Sequence, residues 1–301
     1  MKTTKKTTER KNVYQMVTDK VIEQMEKGII PWHKPWRGGV FGGAVNYVTR
    51  KQYSFLNQML LGKGGEWLSW KQIQDCGGKL KKGAKAGMVV FYTPFVVTEE
   101  KVKADGTTEK EEKIIPYLRY YNVFHIDDCT GIESKINSEN EGQASDLQPV
   151  GAAEEIVTGY VTGEDAPKFH NGVPSDRAYY SPLSDTVVVP MISQYDIVEE
   201  YYSTTFHELV HSTMKESRCN RKEAQGLAAF GSKNYSREEL VAELGSAMLC
   251  QQAGLESDKV FTNSVAYLQG WLKALKGDDK LIVWAASRAE KAARFIMGER
   301  N

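Results

Sequence analysis

The chain has little of what marks a secreted, disulfide-bonded or membrane-spanning protein. Its 301 residues include four cysteines, Cys76, Cys129, Cys219 and Cys250, and no C-x-x-C spacing, which argues against a disulfide framework and against a cysteine-rich zinc knuckle. No apolar run approaches the roughly 20 residues that a membrane span requires. The polar, basic start of the chain leads into no apolar segment, so it does not resemble a secretory signal. We therefore expect a cytoplasmic protein with no membrane partner.

The chain also has no net charge, with 39 basic and 39 acidic residues. This balance hides an asymmetry, because residues 1–126 hold 22 basic against 12 acidic residues and the remainder holds 17 against 27. A chain of this length is expected to form two compact domains, and the opposite charges indicate different partners for them. Residues 138–146 contain no aromatic or β-branched residue, which is typical of a flexible linker. We predict a first domain at 1–130, a linker at 131–150 and a second domain at 151–301.

Hydrophobic periodicity predicts an α+β first domain and a mostly helical second domain. Val13, Val17, Val21 and Met25 recur every four residues, which indicates an amphipathic helix over 13–27. Two β-like runs at 88–98 and 117–126 flank a charged segment at 99–113 that resembles a hairpin tip. In the second half, a strand is predicted at 186–189, and helices are predicted from 152 onward and at 196–215, 236–253, 263–275 and 279–296.

Histidine is scarce, with five residues in the chain, yet two of them stand four apart in His207-Glu208-Leu209-Val210-His211. Residues four apart share one face of a helix, so the two imidazoles can converge on one ion. In this H-E-x-x-H pattern the histidines are metal ligands, and Glu208 is the general base that takes a proton from water. The helix has a separate apolar stripe with which to pack, formed by Val198, Tyr202, Phe206 and Val210. The pattern therefore predicts a zinc-dependent peptidase rather than two solvated helix histidines.

A catalytic zinc ion requires a third protein ligand. Glu239 and Glu243 lie one helical turn apart in the next predicted helix, so one can bind the metal while the other orients a ligand histidine. Ser236 and Glu239 also match a capping box, which would leave Glu243 as the ligand. We favour Glu239 as the ligand because in the best-known glutamate zincins the ligand precedes its helper acid by one turn. Zinc is the default ion, although a His/His/Glu site also accepts other divalent ions such as Mn²⁺.

A peptidase also needs a surface that holds its protein or peptide substrate. The strand predicted at 186–189 precedes the metal-binding helix, and an extended peptide can pair with an exposed strand edge. An ordinary buried strand explains the same residues equally well. The sequence leaves these two interpretations open.

The first domain combines the two ingredients that hold single-stranded nucleic acid, namely cationic side chains and aromatic rings on which bases stack. They interleave in four segments, at 32–37, 47–53, 67–71 and 79–85. Trp67 and Tyr121 are expected in the core instead. The predicted DNA-binding residues are Trp36, Arg37, Tyr47, Arg50, Lys51, Tyr53, Lys79, Lys81, Lys82 and Lys85. Core aromatics beside a solvated charged surface are the alternative interpretation.

Taken together, these segments resemble the ArdC-type antirestriction proteins of conjugative plasmids and related mobile elements, and the resemblance covers most of the chain. In the first domain it rests on residues 26–36, on Asn46-Tyr47 with Tyr53 and Asn57, and on residues 67–72, 77–83 and 121–124. In the second domain it rests on residues 206–211, 217–218 and 230–245. Two departures are visible: Ser212-Thr213-Met214-Lys215 replaces the usual Trp-Thr-Gly-His after the H-E-L-V-H, and Cys219 replaces a usual leucine.

The resemblance implies an N-terminal domain that binds single-stranded DNA and a C-terminal zincin-like metallopeptidase domain. It also implies a role in protecting incoming DNA from host restriction. Our first hypothesis is an enzyme whose DNA-binding domain delivers the peptidase to proteins on single strands. The alternative is a non-proteolytic protector of incoming DNA whose metal is structural. A peptidase that regulates a repressor, with incidental DNA binding, is a third and weaker interpretation because the first domain is so basic.

Overall fold

The computed structural model describes residues 12–33, 43–102, 108–136, 149–172, 174–221, 233–255 and 265–299. Most of the predicted linker, together with Trp36 and Arg37, lies outside these residues. Helices and strands both contribute to the fold, as the α+β prediction requires, with the longest strands in the first half and the longest helices in the second. None of the helices in the described part of the chain combines the length and apolar character needed to cross a membrane.

The first half consists of one long helix, two short helices and a four-stranded sheet. The helices are α1 (Val13–Glu26), α2 (Phe55–Leu61) and α3 (Trp70–Asp75). The strands are β1 (Ala44–Asn46), β2 (Gly65–Ser69), β3 (Lys79–Leu80), β4 (Gly87–Val102), β5 (Thr108–His125) and β6 (Cys129–Thr130). The sheet has the order β1-β2-β5-β4, and β3 pairs separately with β6. The predicted first helix is confirmed, and its start is capped by the Asn12 side chain, which accepts a hydrogen bond from the Gln15 amide at 2.8 Å.

Strands β4 and β5 form an antiparallel ribbon that is longer than the sequence predicted. Their register runs without interruption from Gly87 opposite Val123 to Val102 opposite Thr108. The prediction of a loop at 99–113 was therefore wrong over most of its length. The charged composition of this segment favoured a loop, yet an antiparallel strand can carry polar residues where its face meets water.

The second half begins with α4 (Pro149–Val161) and a small sheet and continues with long helices. Strands β7 (Lys168–His170), β8 (Tyr179–Ser181) and β9 (Thr186–Val188) form the sheet, in the order β7-β9-β8. The helices are α5 (Val198–Ser212), α6 (Lys233–Ala253), α7 (Val265–Gly277) and α8 (Leu281–Ile296). These helices are confirmed to within a few residues of their predicted bounds.

Two of the alternative interpretations that the sequence left open in this half do not match the structure. Helix α6 begins at Lys233, so Ser236 lies inside the helix and is not its N-cap residue. Strand β9 is the middle strand of its sheet, with β7 on one side and β8 on the other. It therefore has no free edge for a peptide, and β8 is the outer strand that packs beside α5.

One hydrophobic core extends through both halves of the chain. The predicted apolar stripe of α5 lies in it, with Phe206 and Val210 fully buried. Burial of a side chain as large as phenylalanine stabilises a fold by roughly 1.5–3 kcal/mol. Helix α1 packs against α7 and α8, and its Thr18 hydroxyl donates a hydrogen bond to the Asp279 carbonyl at 2.8 Å. The first helix of the chain thus helps to cover the helical half.

Candidate metal centre and DNA-binding residues

Helix α5 carries His207 and His211 on one face, one turn apart. Their Nε2 atoms lie 3.2 Å from each other, and the two rings meet edge to face at a centroid distance of 4.8 Å. Glu208 lies between them in sequence and is buried. Both histidines are only partly buried.

The third member of this cluster comes from α6, which lies close to α5. Gly245 permits the approach, because a Cβ atom there would stand 2.7 Å from the Val210 side chain. Glu239 places one carboxylate oxygen 3.4 Å from His207 Nε2 and the other 3.5 Å from His211 Nε2. Two ligands held about 2.05 Å from an ion in tetrahedral geometry are about 3.3 Å apart. Each histidine lies near that spacing from a different oxygen of Glu239, and one ligand atom from each of the three side chains lies within 4.8 Å of the others. These three side chains can therefore converge on one ion of the size of zinc.

Among the described residues, the only group of three or more potential metal ligands is His207, His211 and Glu239. Glu243 is half-buried one turn further along α6 and does not belong to this group. The sequence left both glutamates open as the third ligand, and the geometry places Glu239 beside the histidines.

Sequence reasoning missed the groups that lie behind His211. Its Nδ1 atom is 3.4 Å from Oε1 of Glu238, which is buried. Arg221 is also buried and donates to both oxygens of Glu238, at 3.0 Å from Nε and 2.6 Å from a terminal nitrogen. Adjacent helix residues point about 100° apart, so a search for residues on the same face as Glu239 excludes Glu238.

Arg221 also holds the end of α5. Its guanidinium donates to the Thr213 hydroxyl at 2.7 Å and to the Val210 carbonyl at 2.8 Å. Since Glu238 belongs to α6, this one side chain connects the two helices that carry the potential ligands. A planar guanidinium with five donors is suited to such multiple bonding.

The electrostatics of the cluster favour a bound cation. Burial opposes the charged form of His211, but Glu238 and Glu239 outweigh burial and raise its pKa to about 10. Burial also opposes the charged form of Glu239, yet His207 and His211 lower its pKa well below the ordinary value. The carboxylates thus create a negative potential at the two imidazoles, which a divalent ion would satisfy.

The segment in which the sequence departs from the family pattern starts at Ser212, directly after His211 at the end of α5. Ser212 is buried and hydrogen-bonded to the Tyr160 hydroxyl at 2.9 Å. Thr213 accepts the bond from Arg221 described above, and Lys215 is ion-paired with Asp185 at 2.8 Å. Cys219 is buried. These residues pack and bond locally, without joining the group of potential ligands.

Two of the predicted DNA-binding residues are engaged inside the protein. Tyr47 is buried, and its hydroxyl donates to the Glu133 carbonyl at 3.1 Å. Arg50 is ion-paired with the fully buried Glu66, which also accepts bonds from the Ser134 hydroxyl at 2.8 Å and the Lys135 amide at 3.0 Å. These contacts explain why basic and aromatic residues alternate in this segment without forming an open surface.

The remaining predicted DNA-binding residues within the described part of the chain are more accessible. Tyr53 is half-buried, and its hydroxyl accepts a bond from the Asn46 amide at 3.2 Å. Lys81 is exposed but donates to the Asp127 carbonyl at 2.7 Å. The other predicted residues that are exposed are Lys51, Lys79, Lys82 and Lys85.

Two family models match this chain. Residues 11–124 match the N-terminal domain of the anti-restriction factor ArdC. Residues 163–288 match a zincin-like metallopeptidase. The matches divide the chain into two domains on either side of the predicted linker and place the potential metal ligands inside the zincin-like domain.

Individual relatives match 96% of the chain. A DNA primase TraC of Escherichia coli is 31% identical over 96% of this chain, but the chain spans only 27% of the primase. Two crystal structures show the antirestriction protein ArdC from plasmid R388, one metal-free and one with Mn(II) bound. The ArdC sequence is 30% identical to this chain. Both structures superpose on this chain with TM-scores of 0.69 and 0.70, and the match covers 96% of this chain and 98% of each ArdC chain.

Proposed function

This chain belongs to the family of the ArdC antirestriction proteins, and on that premise we propose that it is a DNA-binding metallopeptidase that protects entering DNA. The observation that carries the peptidase proposal is the meeting of His207, His211 and Glu239, with one ligand atom from each within 4.8 Å of the others. Zinc is the ion that we propose. The related ArdC structure with Mn(II) bound makes manganese the alternative.

Each side chain of the centre has a distinct task in this proposal. His207, His211 and Glu239 hold the ion, which when bound polarises the peptide carbonyl and makes water more acidic. The Glu208 carboxylate takes a proton from the attacking water and passes it to the amine of the leaving peptide. Burial of Glu208 shields this proton transfer from bulk solvent.

The outer strand β8 offers the edge that β9 lacks. It packs beside α5 and is paired on one side only within the described sheet. An extended peptide can add to such an edge through main-chain hydrogen bonds. We therefore assign an unfolded or extended protein segment as the substrate class.

The substitution Glu208→Gln tests the proposed base. It removes the charge but keeps the shape, so we expect proteolysis to be lost while zinc content, melting temperature and DNA affinity stay at the wild-type level. Proteolysis is measured on a library of unstructured peptides. Cleavage by the variant at the wild-type rate would eliminate Glu208 as the base.

An antirestriction assay with the same variant decides whether protection requires proteolysis. If Glu208→Gln still protects entering DNA fully, the protein acts as a non-proteolytic protector and the metal has a structural role. If protection falls with proteolysis, cleavage is part of the function. The wild-type protein and the Glu208→Gln variant must be present at equal levels in the cell for this comparison.

The ligand set is tested by a pair of matched glutamate substitutions on α6. Glu239→Gln should abolish stoichiometric zinc binding, because the ion would lose its only charged ligand, whereas Glu243→Gln should retain it. Metal content after dialysis is the measurement, and it also distinguishes zinc from manganese in native protein. Zinc loss in the Glu243 variant alone would assign the ligand role to Glu243.

For the first domain we propose binding of single-stranded DNA, which its net charge and its family support. Because phosphate neutralisation releases counterions, affinity for a single strand should fall steeply as salt concentration rises. Measured with a labelled oligonucleotide, a response that is flat in salt would contradict a binding surface lined by basic residues.

A further inference from the structure

The ribbon formed by β4 and β5 exposes large apolar side chains. From Val123 outward, the described part of β5 pairs with no strand other than β4. The inner part of the ribbon is covered, since α2 packs against β4 and α1 against β5, and Val89, Val90 and Leu118 are buried. Further out, large apolar side chains on both faces are exposed. Contiguous exposed apolar surface on a protein of this kind marks an interaction site.

One face of the ribbon carries a row of aromatic rings. Directly paired residues share a face, and the register therefore groups Phe91, Phe95, Tyr117 and Tyr121. These four side chains are 39–57% exposed. We call this surface the aromatic face. Its rings form two contacts across the strands, Phe91 with Tyr121 at 5.5 Å and Phe95 with Tyr117 at 6.1 Å.

The aromatic face also carries positive charge. Arg119 is paired with Phe91 and lies between Tyr117 and Tyr121 along β5, and Lys113 is paired with Val97 further out. Both side chains are exposed. Between 89 and 97 and between 113 and 121 this face carries no carboxylate, and the next pair outward on the same face is Glu99 with Glu111. Cationic side chains and aromatic rings are the two components of a surface that holds unpaired nucleic acid.

The opposite face of the same ribbon also exposes apolar side chains. Val96, Ile114 and Tyr120 are 45–68% exposed there. Between 88 and 98 and between 112 and 122 this face carries no cation, and its charged residue is Glu112. This difference in charge distinguishes a phosphate-bearing partner from a purely apolar one, since the latter would fit either face.

The aromatic face is continuous with a residue that the sequence had already predicted to bind DNA. The Tyr121 side chain is hydrogen-bonded to the phenol of Tyr53. Tyr53 lies two residues after Lys51, which is exposed. The row of rings therefore continues from the ribbon toward the predicted basic segment at 47–53.

We propose that the aromatic face of the β4–β5 ribbon is the platform on which this protein stacks the bases of single-stranded DNA. Arg119 and Lys113 contact the phosphates. Side chains on one face of a strand repeat every 6.6–6.8 Å or so, which gives successive bases separate rings on which to lie. This assignment rests on the proposed binding of single strands and specifies where it occurs.

Matched substitutions on the two faces of the ribbon test the assignment. Phe95→Ala combined with Tyr117→Ala removes two rings from the aromatic face, and Ile114→Ala combined with Tyr120→Ala removes equivalent bulk from the opposite face. Fluorescence anisotropy with a labelled oligothymidine reports affinity. The first pair should raise Kd by about tenfold or more, and the second should leave it within about twofold of wild type. Circular dichroism and melting temperature confirm that both are folded.

Arg119→Gln provides an independent readout. Loss of one phosphate contact should lower the slope of log affinity against log salt by about 0.7, whereas loss of rings should leave that slope unchanged. An excess of unlabelled duplex should compete poorly, because paired bases cannot stack on the rings.

The outcomes separate this assignment from the function on which it rests. If wild-type protein binds no single strand, the proposed DNA binding itself fails. If the wild-type protein binds but the two double variants bind equally well or equally poorly, the aromatic face is not the platform, although DNA binding stands. If the aromatic-face pair changes the oligomeric state on a sizing column and leaves Kd unchanged, the face binds protein and the assignment is overturned.

Discussion

Arg221 offers the sharpest test of how the fold holds the metal centre. Its guanidinium and the carboxylate of Glu238 are both buried, and the pair has two direct contacts at 2.6 and 3.0 Å. Arg221→Met keeps the length of the side chain but leaves the carboxylate without its cation. Removal of one partner of a buried ion pair costs about 3–5 kcal/mol. We expect the metal-free protein to lose this much stability in urea unfolding with a chelator present.

The same substitution should weaken zinc binding, because Glu238 would no longer be fixed against Nδ1 of His211. Loss of an interaction that orients a ligand usually costs 10-fold to 100-fold, or thereabouts, in metal affinity. Competition with a chromogenic chelator measures the zinc affinity. The visible spectrum of the cobalt-substituted protein reports whether the coordination geometry has changed.

A double substitution separates positioning from stability. Replacing both partners by apolar residues, Arg221→Met with Glu238→Leu, should restore the stability of the metal-free protein to within about 1 kcal/mol of wild type or better. Zinc affinity should stay low, since His211 still lacks its partner. Wild-type zinc affinity in the double variant would refute the reasoning. Arg237→Met is the matched control, because its pair with Asp278 is half-exposed and worth less than about 1 kcal/mol.

The remaining predictions concern two ion pairs that link distant segments and one exposed lysine. Burial opposes ionisation of Asp185, but its bonds to Arg218 lower its pKa below the ordinary value. Its stabilising contribution is therefore complete above the unfolded-state pKa of about 3.9 and is lost as pH falls through the lower folded-state pKa. Asp185→Asn should make the melting temperature less sensitive to pH between 2 and 5, and an unchanged pH profile would contradict this. Arg50→Ala should destabilise the protein by roughly 1.5–3 kcal/mol, because buried Glu66 loses its charged donor. Lys51→Ala should reduce DNA affinity without changing stability, and urea unfolding alongside anisotropy tests both variants.

The sequence by itself determined the features that depend on residues a few positions apart in one segment of the chain. The four-residue period of Val13, Val17 and Val21 specified α1, because an amphipathic helix needs only its own residues to define its buried face. The spacing of His207 and His211 likewise placed both rings on one side of α5. Local geometry fixes such pairs before any tertiary contact forms.

Only the tertiary structure decided which groups from other segments complete each site. Glu238 and Arg221 are 17 residues apart, and nothing in their spacing indicates that they meet behind His211. Trp67 is buried as predicted, but Tyr121, also predicted for the core, is 39% exposed on the ribbon. The alternation of polar and apolar residues in a strand does not say whether another layer covers it. That depends on packing between distant parts of the chain, and here it leaves a row of aromatic rings exposed to solvent.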